Sequence, residues 1–148
     1  MPTSKKTSIQ ADYEHALKLE KEGNLQEAAL AYESIVKAKP MFVFAQHRLM
    51  IVYRKLKAND KEIKAIKKAI VAYKKGIETN QRQWLKINKQ KAELSRELAQ
   101  SLGLLGDNGL PLYQDENIEK WQKRLDLLTA RIDKAKIKKQ EKNSRKSN

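Results

Sequence analysis

The sequence predicts an all-α protein, and three observations carry that prediction. Apolar residues recur at spacings of three and four along most of the chain, which places them on one face of a helix. No run alternates apolar and polar residues between turn signals, as a half-buried strand would. Glycine and proline are scarce, at five and three in 148 residues, and the mix of 34% charged with 40% hydrophobic residues suits amphipathic helices with solvated outer faces.

Residues 1–10 are polar, carry Lys5 and Lys6, and read as a flexible tail. The first helix is expected near 11–22, with Tyr13, Ala16, Leu17 and Leu19 on one side. Gly23 supplies the permissive backbone that ends it, and Asn24 is the candidate cap of a second helix near 25–38. Ala28, Ala29, Tyr32, Ile35 and Val36 form the apolar face of that second helix, and Pro40 stops it. Two helices this short cannot bury their apolar faces alone. A second pair, near 42–56 and 60–78, follows at once.

The pairs correspond at an offset of 34 residues without a gap: Leu19 falls on Tyr53, Gly23 on Lys57, Tyr32 on Ile66 and Ile35 on Ala69. With Ala16 in the small slot, Leu19, Gly23, Ala28-x3-Tyr32 and Pro40, the first unit resembles the tetratricopeptide repeat (TPR) family. The second unit matches through Leu49-x3-Tyr53, Ile66 and Ala69, departs at Met50 and Lys57, and lacks a closing proline. The resemblance covers about half the chain, from Ala11 to about Tyr73. It implies a TPR-like helix-turn-helix α-solenoid fragment of two repeats over 11–79, and a protein-binding rather than catalytic role. Some family members hold a peptide's C-terminal carboxylate with Lys, Asn and Arg on the inner helices. The matching inner positions here include Tyr13, Leu17, Phe44, His47 and Ile51, which are mostly apolar or aromatic. That clamp is therefore not expected. An apolar partner groove is the alternative, unless a later helix of the same chain fills it.

On the fourth helix, Ile63, Ile66, Ile70, Tyr73 and Ile77 fall within an arc of about 80° at ~100° per residue, and Lys61, Lys64, Lys68 and Lys75 fall opposite within about 60°. The lysines read either as a solvated face or as a strip for phosphates. The apolar spacing runs on through Trp84, Ile87, Leu94 and Leu98, so one helix to about 103 is an open reading. A break at Thr79-Asn80 is preferred, because Gly76, Thr79 and Asn80 are poor helix formers. A helix over about 82–103 then carries Trp84, Leu94, Leu98 and Leu102, followed by a punctuated loop, Gly106 to Gln114. Asp115 is the expected N-cap of the last helix, whose stripe is Ile118, Trp121, Leu125, Leu128, Ile132 and Ala135. Segment 80–140 is thus expected to form an antiparallel helical hairpin with both tryptophans in its core, or as interface anchors. A homodimer through the C-terminal stripe is the alternative arrangement. Residues 141–148 read as a basic flexible tail.

The net charge of +14 is unevenly spread: residues 1–40 balance at six basic and six acidic, whereas 41–79 hold ten basic against three acidic. This favours an acidic partner, protein or nucleic acid, although lysine also serves simple solubility on helix surfaces. No cysteine is present, so disulfides and thiolate metal sites are excluded. The two histidines, His15 and His47, have no ligand-like companions, and no nucleotide loop, nucleophile elbow or paired carboxylates appear. No enzyme activity, cofactor or metal is expected. With no apolar leader or membrane span, the expected location is cytoplasmic. The expected function is a scaffold or adaptor for a protein partner, the alternative being weakly sequence-specific binding of phosphates through the basic fourth helix and C-terminal end.

Overall fold

A computed structural model describes residues 8–106, 109–110 and 115–147, and these residues are helical with short connections. Six helices follow one another: α1 (Ile9–Lys21), α2 (Leu25–Ala38), α3 (Val43–Lys55), α4 (Asn59–Ile87), α5 (Lys89–Ser101) and α6 (Glu116–Lys146). The expected N-terminal tail lies mostly outside the described residues. Ser8 already caps α1, its hydroxyl accepting from the Ala11 N–H.

Helices α1 to α4 pack in sequence, each against the next. Their turns repeat at the backbone level. Asn24 N–H donates to Leu19 O and Gly23 N–H to Glu20 O; Ala58 N–H donates to Tyr53 O and Lys57 N–H to Arg54 O. Those bonds correspond at an offset of 34 residues. Both turns place a residue in the left-handed region, Gly23 at φ 82° and Lys57 at φ 55°. Glycine adopts that conformation freely, whereas lysine meets a steric cost there. Asn24 occupies the N-cap position of α2, but its side chain makes no capping bond.

The core is built from small residues that let the helices approach and larger ones that fill between them. Ala16, Ala28, Ala45 and Ala69 are fully buried, as are Tyr32, Val52 and Ile66. Trp121, Leu125 and Leu128 of α6 join this same core. The sequence pairs the last helix with the segment 82–103. In the structure it lies on α4 instead, antiparallel to it, with Trp121 beside Tyr73 and Arg124 reaching back to Glu62. The reason is the richer apolar face of α4, where Ile66, Ala69 and Ile70 are already buried. Ile118 is partly buried against the core and Ile132 is half-buried.

The break in α4 comes at Asn88, not at Thr79-Asn80. Thr79 stays helical by donating its hydroxyl to Lys75 O, and Gly76 leaves the space that Met41 occupies. Asn88 instead turns its amide back onto Trp84 O and takes a non-helical backbone at φ −118°, ψ 48°, ending one helix and opening the next. The short α5 then touches α4 only slightly, and Ala92 and Ala99 are its buried residues. Trp84, expected in a core, is 46% exposed, and Leu98 is 61% exposed. The expected flexible tail is also helical: α6 continues to Lys146, with every residue from 133 to 147 exposed. Most of the loop Gly106 to Gln114 lies outside the described residues.

Candidate functional site

The inner-helix positions singled out in the sequence do not form one open groove. Tyr13 and Leu17 on α1 are half-buried, and Tyr13 packs its ring against Phe42 and Tyr32 at centroid distances of 5.1 and 6.1 Å. Phe44 is 67% exposed, and its ring meets Phe42 edge-on. His47 on α3 is engaged by α6. The Trp121 indole N–H donates to His47 Nδ1 at 3.1 Å, which leaves Nε2 to carry the proton and donate to Asn117 Oδ1 at 3.2 Å. Ile51 lies one turn further along α3 and is also half-buried. Helix α6 of the same chain therefore takes the place beside His47, while Tyr13 and Phe44 both meet Phe42, at the aromatic end away from that contact.

The basic strip fares differently. Lys61, Lys64 and Lys68 stand on one wall of a groove of about 560 Å³ that crosses α2, α3 and α4, while Lys75 lies beyond it. Val36, Leu49, Tyr53 and Ala65 supply an apolar floor. The opposite wall carries Lys37 and Glu33 of α2. The groove is thus lined by four lysines and one carboxylate around a largely apolar floor. The α2 wall was not legible as part of a site: Glu33 and Lys37 join the groove only because α2 and α4 both pack on α3. Gln46 closes one end, its amide donating to Pro40 O at 3.0 Å.

Two buried carboxylates hold the helices beneath this groove in place. Glu20 of α1 accepts from the Tyr32 hydroxyl at 2.9 Å, from Arg48 and from Lys55, tying α1 to α2 and α3. Burial pushes the Glu20 carboxyl upward, but the hydrogen bonds from Arg48, Tyr32 and Lys55 outweigh it and hold the group below its ordinary value. Burial and then the Glu20 carboxylate push the Tyr32 hydroxyl well above its usual range. Glu62 of α4 is fully buried and accepts from Arg54 of α3 at 3.3 Å and from Arg124 of α6 at 2.9 Å. Each carboxylate is thus bonded to two cations and joins neighbouring helices. A smaller cavity of about 120 Å³ lies where α5 folds near α4, lined by Trp84, Leu85 and Ala92 among others.

Among the described residues no group of His, Asp or Glu side chains is arranged to hold a metal ion, and no helix is long and apolar enough to cross a membrane. Compared with family models, with curated proteins and with solved structures, the chain matches none.

Proposed function

We propose that this chain is a non-catalytic interaction module that receives an acidic, amphipathic helical segment of a partner protein in the groove across α2, α3 and α4. One observation carries this reading: Lys37, Lys61, Lys64 and Lys68 rim a floor of Val36, Leu49, Tyr53 and Ala65. A helix with an apolar stripe flanked by Glu or Asp meets both features at once, the stripe on the floor and the carboxylates on the rim. Apolar contact supplies the affinity, and the charges set orientation and speed of encounter. The finer reading of α1 to α4 is two tetratricopeptide-like repeats, supported by turn hydrogen bonds that recur at the 34-residue offset. With α6 docked beside His47, that reading moves the docking surface from the inner helices to the lysine-rimmed side.

The test is a fluorescence titration with a labelled synthetic peptide carrying leucines at helical spacing between glutamates. The chain with Lys61→Glu, Lys64→Glu and Lys68→Glu is expected to bind it about 3- to 150-fold more weakly, at roughly 0.2–1 kcal/mol for each of three exposed charge pairs lost. The double variant Tyr13→Ala, Phe44→Ala is expected to bind as the parent does. The reverse pattern places the site at the aromatic end and contradicts the proposal.

A further inference from the structure

We propose that the projecting half of α6 is a second binding surface, and that it fits the phosphate backbone of a nucleic-acid duplex. Helix α6 is anchored at its start: Trp121, Leu125 and Leu128 are buried on α4, and Arg124 pairs with Glu62. Past Ile132 the helix continues to Lys146 with no residue buried. This half carries Lys134, Lys136, Lys138, Lys139, Lys142, Arg145 and Lys146 against only Asp133 and Glu141. With Arg131 just before it, five of these cations (Arg131, Lys134, Lys138, Lys142 and Arg145) recur at three and four and fall within an arc of about 80°. None of the eight cations takes part in an ion pair among the described residues.

Such a row is costly to keep. Lys134, Lys138 and Lys142 stand four apart on one face, as do Lys142 and Lys146, and like charges at that spacing destabilise a helix. The helix dipole favours cations only within the last turn, whereas this row begins about four turns before the end of α6. A bound polyanion offsets the repulsion along the whole row.

The surface also differs in kind from the groove. Within residues 133–147 the one large aliphatic side chain is Ile137, and it is 55% exposed with no floor around it. An amphipathic peptide finds nothing to bury there. A membrane-surface helix needs a face of aromatic or leucine side chains, which this segment lacks. What it offers is positive charge on a rod about 21 Å long, from 14 residues at 1.5 Å each. Duplex DNA presents one phosphate per ~1.7 Å of axis, and its major groove is about as wide as a helix. Charge meets charge at matching length, and no side chain suited to reading base edges is needed.

The full chain is titrated with a labelled 20-base-pair DNA duplex and with a second duplex of scrambled sequence, across a salt series. If the five-residue row neutralises about five phosphates, its share of the affinity falls about 500-fold between 50 and 200 mM salt, at a log–log slope of about −4.5. Lys138→Ala, Lys142→Ala, Arg145→Ala lie on an exposed helix where alanine is the best helix former, so circular dichroism should stay unchanged. That variant is expected to lower the slope by about 2.7. The matched loss of three charges in Lys61→Ala, Lys64→Ala, Lys68→Ala is expected to leave the slope as it was, and both duplex sequences should bind alike. No duplex binding at low salt overturns the proposal. So do equal slope losses in the two variants, or binding only to a polyglutamate peptide or to anionic vesicles.

Discussion

One apolar stripe runs in sequence through α4 and into α5, and its two halves meet opposite fates. In the first half, Ile66, Ile70 and Tyr73 lie under α6 or in the core beneath it. In the second half, Trp84, Ile87, Leu94 and Leu98 keep the same spacing and remain 46 to 82% exposed. Local pattern does not separate them. The difference is the neighbour: α6 brings its own stripe to α4, where α3 already supplies a second surface and Glu62 waits for Arg124. Helix α5 begins after the break at Asn88, and its buried residues, Ala92 and Ala99, do not belong to the main core. Helical periodicity therefore says which face of a helix is apolar, and the long-range partner decides whether that face is covered.

The largest expected effect is at the centre of the covered half. Trp121 fills the space between α3 and α4, edge-on to Tyr73 and bonded to His47. Trp121→Ala should cost about 3–5 kcal/mol in chemical denaturation. A loss below about 1 kcal/mol would mean that α6 is not seated there.

The next effect is on pH dependence. Because Glu20 is held below its ordinary value, its contribution to stability is present above the unfolded carboxyl pKa of 4.5 and is lost as pH falls through the lower folded value. Thermal melts from pH 7 to 3 should show the parent losing stability below about pH 4.5, more steeply than Glu20→Gln. Parallel curves would remove the carboxylate from this role.

A smaller effect concerns the second turn. Lys57 holds φ 55° where the first turn has Gly23. Lys57→Gly should stabilise the chain by roughly 0.5–1 kcal/mol, the relief of left-handed strain exceeding the added freedom of the unfolded chain. Gly23→Ala should act in the opposite direction, and a melt of each variant checks both signs.

Much of this architecture was legible in the residues. The turn at Gly23, the cap at Asp115 and the burial of Trp121, Leu125 and Leu128 follow from spacing and local chemistry. Asp115 accepts from the N–H groups of Asn117 and Ile118, which is the bond its position before a helical run implies. What was not legible depends on contacts between distant segments. Gly76 reads as a breaker until Met41 is seen packed over it, and Asn88 becomes the break because its amide reaches Trp84 O. The lysine strip was visible on α4, but its facing wall at Glu33 and Lys37 is assembled across α3, and nothing in the spacing of α2 announces it.

The covering of the first half and not of the second is tested most directly by one pair of matched substitutions, Leu128→Ala on the covering helix α6 and Leu98→Ala on the bare face of α5, measured side by side by urea denaturation. Leu128 is 3% exposed and Leu98 61% exposed, so the same atoms are removed from a core and from a bare face. Leu128→Ala should cost about 2–5 kcal/mol and Leu98→Ala less than about 0.5 kcal/mol. Equal losses, or a larger loss at Leu98, would show that α6 covers α5 rather than α4 and would contradict the account.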